Sequence, residues 1–81
     1  MAGAKPKYCV GQRISHRLFH YHGVIVGVDT CFQGTDDWYE QVAQSRPPKD
    51  RPWYHVQVYS FPNRQTYVAE QNLRLDPTTN N

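Results

Sequence analysis

Four histidines, His16, His20, His22 and His55, and two cysteines, Cys9 and Cys31, are the side chains of this chain best suited to metal binding or catalysis. His20 and His22 are two apart, so in an extended segment both rings fall on one side, with His16 close by. A structural zinc site takes four firm ligands, and no acid or cysteine stands near enough in sequence to complete the set. No metal or cofactor is therefore expected. A cysteine nucleophile needs a base within hydrogen-bond reach, which sequence position alone does not supply, and a Gly-rich phosphate loop is absent. The cysteines match neither a CxxC redox site nor a zinc spacing and read as free thiols in a reducing compartment. No residue is assigned a catalytic role, and the chain reads as a binding protein rather than an enzyme.

The second constellation is aromatic. Eleven aromatic rings (two Trp, six Tyr and three Phe) are interleaved with basic residues, a combination used by single-stranded nucleic-acid platforms. Arg13, Arg17, Phe19, Tyr21 and Tyr67 could line such a surface. The competing demand is the core, because a very small domain needs large side chains to exclude water. Trp53, Tyr54 and Tyr21 are assigned to the core. Phe19 and His20 fall at a predicted turn and are assigned to binding. Trp38 and Tyr39 either pin down the segment that carries them or present a patch to a partner.

These residues must be positioned by 81 residues carrying a net charge of +2. A domain of this size buries only about 60% of the surface its unfolded chain exposes, which leaves little room for a deep catalytic cleft. The charge is segregated: Lys5, Lys7, Arg13 and Arg17 precede any acid, whereas Asp29, Asp36, Asp37 and Glu40 follow with no base among them. One basic face and one acidic lobe are expected. No stretch approaches the ~20 apolar residues of a membrane span, and the first residues lack the apolar segment of a secretory signal. A soluble, cytoplasmic protein without membrane contact is expected.

A basic tail over residues 1–7 is followed by an extended segment from Cys9, with Val10, Gln12 and Ile14 on one side and Arg13, Ser15 and Arg17 on the other. Leu18 to His22 forms a turn. Gly23 to Asp29 is the strongest strand, rich in β-branched residues, with a bulge expected at Gly27. Thr30 to Pro52 is a long excursion in which Thr35 is a helix N-cap and the acids after it suit a first helical turn; its prolines mark loop. Trp53 to Tyr59 alternates as a strand. A turn over Ser60 to Arg64, a strand at Thr66 to Val68, a 3₁₀ turn over Ala69 to Leu73, a last strand at Arg74 and Leu75, and a polar tail over 76–81 complete the chain. The fold class is mostly β: a small SH3-like barrel of about five strands over residues 8–75, with a long excursion between strands two and three. An OB-type barrel would want a longer helix.

Val10-Gly11-Gln12, His16-Arg17, Phe19-x-Tyr21-x-Gly23-Val24-Ile25-Val26 and Asp29 resemble the opening of the YccV-like domain, the hemimethylated-DNA-binding or heat-shock protein Q family. Pro52-Trp53-Tyr54-His55-Val56 and Thr66-Tyr67-Val68-Ala69-Glu70-Gln71-Asn72-Leu73 resemble its second half, and Phe32-Gln33-Gly34 with Trp38-Tyr39 its connecting segment. The resemblance implies an SH3-like barrel without catalytic activity. It also implies one of two roles: binding hemimethylated DNA, or serving as an accessory factor in protein degradation. The partners of the second role are an ATP-dependent protease such as Lon or Clp, a degradation substrate, or a ubiquitin-ligase component. This chain lacks the family's acidic C-terminal extension and has His20 where the family often has Gly. Related proteins self-associate, so a homo-oligomer is open to this one.

Charge sets the order of the two roles, because neutralising several phosphates takes a cluster of Lys and Arg. Only Lys5, Lys7, Arg13 and Arg17 are placed to act together on DNA. Protein binding is therefore the main expectation, through Arg17, Phe19, His20, Asp36, Asp37, Trp38 and Tyr39, with DNA binding through the basic set as the alternative.

Overall fold

The computed structural model describes residues 5–42, 46–59 and 64–76. Its elements are β1 (Arg13–His16), β2 (His22–Asp29), a short helix α1 (Asp36–Val42), β3 (Trp53–Val58), β4 (Arg64–Ala69), a 3₁₀ turn (Glu70–Asn72) and β5 (Leu73–Leu75). The strands form one antiparallel sheet in the order β4-β3-β2-β1-β5. The segments expected to be strands are strands, and the 3₁₀ turn lies where the sequence placed it.

The register explains which residues are buried. On β1, Ile14 and His16 face the core, while Arg13 and Ser15 point to the opposite side, as period-2 alternation requires. Ile14, Ile25, Tyr54, Val56, Val58, Val68 and Leu73 make the main core, with Tyr8, Tyr21 and Val28 packed against it. Trp53 is one residue from Tyr54 and therefore lies on the other face of β3. There it builds a second cluster with Tyr39 and Ala69, flanked by Phe32, Trp38 and Tyr67. Where β2 crosses β3, the pairing shifts between Ile25 and Gly27. The bulge is thus found, with Val26 as the extra residue and Gly27 opposite His55. Gly23 is required by close approach: a Cβ there would lie 2.5 Å from the Gln57 carbonyl oxygen.

The excursion folds back onto this second cluster. Thr35 Oγ1 accepts the Trp38 amide at 3.1 Å, the cap expected of it. The Tyr39 hydroxyl donates to the Pro47 carbonyl at 2.7 Å and the Trp53 indole to that of Pro48 at 3.1 Å. Phe32 packs on Trp53 with ring centroids 4.8 Å apart.

Three expectations are corrected. The sheet is not closed into a barrel: β4 and β5 are its two edges and no ladder joins them. Among the described residues β4 and β5 therefore each keep one unpaired side. Val10 does not share the face of Ile14; it precedes the strand, next to Gly11 at φ 96°, and is exposed. The extended segment expected from Cys9 becomes a strand only at Arg13, and the chain on either side of the sheet makes hydrogen bonds to it. The Lys7 amide donates to Glu70 Oε2 at 2.9 Å and to the Tyr54 hydroxyl at 3.1 Å. Asp76 is buried, its amide donating to the Arg13 carbonyl at 3.1 Å. The rest of both tails, and the turn expected over Ser60 to Asn63, lie outside the described residues.

The Tyr54 hydroxyl is the joint between the sheet and the N-terminal segment. It donates to Glu70 Oε2 at 2.6 Å and accepts the amides of Lys7 and Tyr8. Burial, then the Glu70 carboxylate, pushes its pKa up to about 12. Tyr54→Phe removes the acceptor of the Tyr8 amide and one of the two acceptors of the Lys7 amide, and should cost about 1–3 kcal/mol. Urea denaturation measures the loss, and hydrogen exchange should show Lys7 and Tyr8 losing protection first.

Candidate functional site

Two surfaces gather the functional side chains: a groove beside the open edge of β4, and the basic flank formed by β1 and β5.

The groove begins at the β1–β2 turn, whose shape is set by His16. This buried imidazole accepts the amides of Leu18 and Phe19 on Nδ1, both at 3.0 Å. It can do so only while Nδ1 is unprotonated, so the ring is neutral with its proton on Nε2. The Phe19 ring stacks on it at 4.6 Å and 15°. Burial, with His20 as a second cause, holds the His16 pKa below its ordinary value. His20 closes the turn with φ 63°, a left-handed conformation that costs a non-glycine residue about 1–2 kcal/mol. The glycine that the resemblance implies at this position has that physical reason.

From this turn the groove runs along β4 to the helix, with a volume of about 620 Å³. Phe19, Tyr21, Trp38 and Tyr67 supply rings to its lining, and Arg64 is its one cation. The structure thus brings Phe19 and Trp38, predicted from separate segments, onto one surface. Leu18 and Val42 are also exposed along it. Tyr39 is not available to a partner: it is 8% exposed and serves as the anchor of α1. Asp36 and Asp37 are exposed at the start of α1, away from the groove lining, and Asp36 pairs with Lys49 at 3.1 Å. Tyr21 is half-buried against the core, in keeping with its assignment.

The basic flank is read from the sheet register. Arg13 and Ser15 lie on the face opposite the core, and Ser15 pairs with Arg74, whose Nε donates to Ser15 Oγ at 3.2 Å. Arg13 is the diagonal neighbour of Arg74, which puts the two about 7–8 Å apart at the backbone. Arg17 follows just past β1, its amide bound to the Asn72 carbonyl at 2.7 Å. Lys7 is held beside the 3₁₀ turn by its contact with Glu70. The excursion pairs two of its three cations, Arg46 with Glu40 at 2.7 Å and Lys49 with Asp36, and leaves Arg51 exposed. The remaining ion pairs among the described residues are His22 with Asp76 and His55 with Asp29. Arg13, Arg17 and Arg74 take part in none of the four.

Sequence reasoning missed Arg74 because it sits far along the chain; only the β1–β5 pairing brings it to Arg13. It also missed Arg64 at the groove, and the tie in which Asp29 Oδ2 accepts both the Tyr67 hydroxyl at 2.6 Å and His55 Nε2 at 3.1 Å. Burial first, and this carboxylate second, raise the Tyr67 pKa. That tie holds the outer aromatic cluster to β2, and Tyr67 is a wall of the groove rather than an open stacking platform. The cysteines are free, Cys9 exposed and Cys31 half-buried. Among the described residues no group of His, Cys, Asp and Glu is arranged to hold a metal ion, and no helix is long and apolar enough to cross a membrane.

An open five-stranded antiparallel sheet with an exposed groove and a flank of unpaired arginines defines a small binding domain. A family model described as "Hemimethylated DNA-binding protein YccV like" matches residues 6–81. The chain belongs to the YccV-like family.

The geometry at His16 makes a pH prediction. Its folded pKa lies below that of the unfolded chain, about 6.5, so the unfolded state takes up the proton first as pH falls. The stability it contributes is complete above about pH 6.5 and is lost as pH falls toward the folded value. An NMR titration should place the His16 ring below the ordinary imidazole value, with the Leu18 and Phe19 amides shifting together with it. His20→Gly should raise the His16 titration by removing the second cause and stabilise the fold by about 0.5–1 kcal/mol through relief of the left-handed strain.

Proposed function

We propose that this chain is a non-enzymatic DNA-binding domain that engages duplex phosphates through the β1–β5 flank. The observation that carries this reading is the pairing pattern of the charges. Asp36 and Glu40 are answered by Lys49 and Arg46, while Arg13, Arg17 and Arg74 are in none of the ion pairs among the described residues. Lys5 and Lys7 extend the same basic set toward the N-terminus. Membership of a family described as hemimethylated-DNA-binding supports it, and so does the addition of Arg74 to the four basic residues read from sequence. The weak point of the DNA reading was too few cations placed together, and the β1–β5 register supplies another. The SH3-like barrel implied by the resemblance is here an open one, and its strand face rather than an inserted helix meets the DNA.

The adaptor reading, with a protease, a degradation substrate or a ubiquitin-ligase component as partner, rests on the resemblance. A polypeptide partner has one observation of its own, the groove along β4.

Each neutralised phosphate contributes about −0.9 to the slope of log K against log salt. Contacts from Arg13, Arg17, Arg74 and Lys7 should therefore give a slope of about −3 to −4. Fluorescence anisotropy with hemimethylated and unmethylated duplexes measures it, with tighter binding expected for the hemimethylated one. An Arg13→Ala, Arg74→Ala variant should lower the magnitude of the slope by about 2. Absence of binding at low salt would overturn the reading, and equal affinity for both duplexes would reduce it to general phosphate attraction.

A further inference from the structure

We propose that the groove beside β4 is a docking site for an extended peptide that adds as a sixth strand and carries an acidic residue near Arg64. The inference is independent of the DNA reading and concerns a different surface. β4 is a six-residue edge strand with no strand partner on its outer side among the described residues. Alternate residues of such a strand direct both N–H and C=O away from the sheet, a ready template for another chain. Its length, about 20 Å, suits a peptide of five or six residues.

Natural sheets commonly blunt an exposed edge with charge, proline or cover. Here the edge is instead lined with apolar surface. Leu18 and Phe19 stand on one side at 53% and 68% exposure, and Val42 on the other at 52%. Tyr21 reaches the strand from the β1–β2 turn through a side-chain hydrogen bond to Thr66. An added strand would have its backbone satisfied by β4 and alternate side chains received by these rings, the general mode of strand addition. Charge identifies the ligand further. The lining contains Arg64 and neither aspartate nor glutamate, and Arg64 is absent from the ion pairs of the described residues. A carboxylate on the peptide is the complementary group.

The test uses the full chain and three fluorescein-labelled octapeptides of alternating threonine and valine. One ends in aspartate, one ends in lysine, and one is the aspartate peptide with alternate amides N-methylated. The aspartate peptide should bind, the lysine peptide roughly tenfold more weakly, and the N-methylated peptide should fail, because it cannot complete a ladder. Arg64→Glu, an exposed substitution that leaves the core intact, should reverse the order of the first two. Amides of Gln65 to Ala69 should gain exchange protection on binding. Equal binding of the acidic and basic peptides, undiminished binding of the N-methylated one, or no binding at all would overturn the proposal. Concentration-dependent dimerisation that protects the same amides would assign the edge to a second copy and overturn it as well. Protection of those amides by duplex DNA would give the groove to nucleic acid. An Arg64→Glu variant that reverses peptide selectivity while keeping its salt slope on DNA separates this proposal from the function proposed above.

Discussion

The single step along β3 from Trp53 to Tyr54 organises the whole molecule. Adjacent residues of a strand face opposite sides, and both of these large side chains are fully buried. A single sheet with one wet face cannot accommodate that pair. Tyr54 forces the sheet to curl over a core on one side. Trp53 forces the excursion to return and cover the other side with Phe32, Trp38 and Tyr39. The long segment between β2 and β3 is therefore structural in its middle, whatever its rim touches. Two of its three prolines serve this end, since Pro47 and Pro48 offer carbonyls to Tyr39 and Trp53.

The same double burial determines what is left for partners. The apolar groups of β3 are consumed, so binding surface must come from the strands at the sheet's edges and from the β1–β2 turn. β5 and β1, short and polar on their outer face, carry the arginines. β4, longer and bordered by rings, carries the groove. The two activities proposed for this domain thus fall on opposite edges of one sheet, with the core between them.

Strand positions were legible because each is a short β-branched or aromatic run with turn residues at its ends, and the 3₁₀ turn and helix cap followed from equally local signals at Glu70 to Asn72 and Thr35. Barrel closure was not legible. It depends on whether β4 meets the far edge of the sheet, which the curl of the whole sheet decides rather than any local pattern. The site divided in the same way. Phe19 at a turn could be seen as exposed from its neighbours. The fate of Tyr39 required knowing that its hydroxyl finds Pro47. Arg74 and Arg64 carry no signal in their own segments; one gains meaning from the pairing of Ser15 with Arg74 and the other from the open edge it sits on. The functional weight of the charges also changed, because the acids that the sequence offered to a partner include Asp36 and Glu40, which are already paired within the excursion.

Both surfaces meet at the β1–β2 turn. Arg17 stands at its entrance beside the basic flank, and Phe19, two residues on, stands over the groove. What holds these side chains in their places is a neutral imidazole with two amides on one nitrogen and an aromatic ring on its face. Few side chains could replace it: a carboxylate could accept the amides but would bring a buried charge, and an aliphatic residue would leave both donors without a partner. His16 is therefore a positioning residue for both surfaces. The strained His20 beside it keeps the turn tight enough for its ring to reach. Of the histidines that first suggested metal or catalytic chemistry, His16 thus acts on the backbone, fixing the geometry from which arginine and phenylalanine can bind.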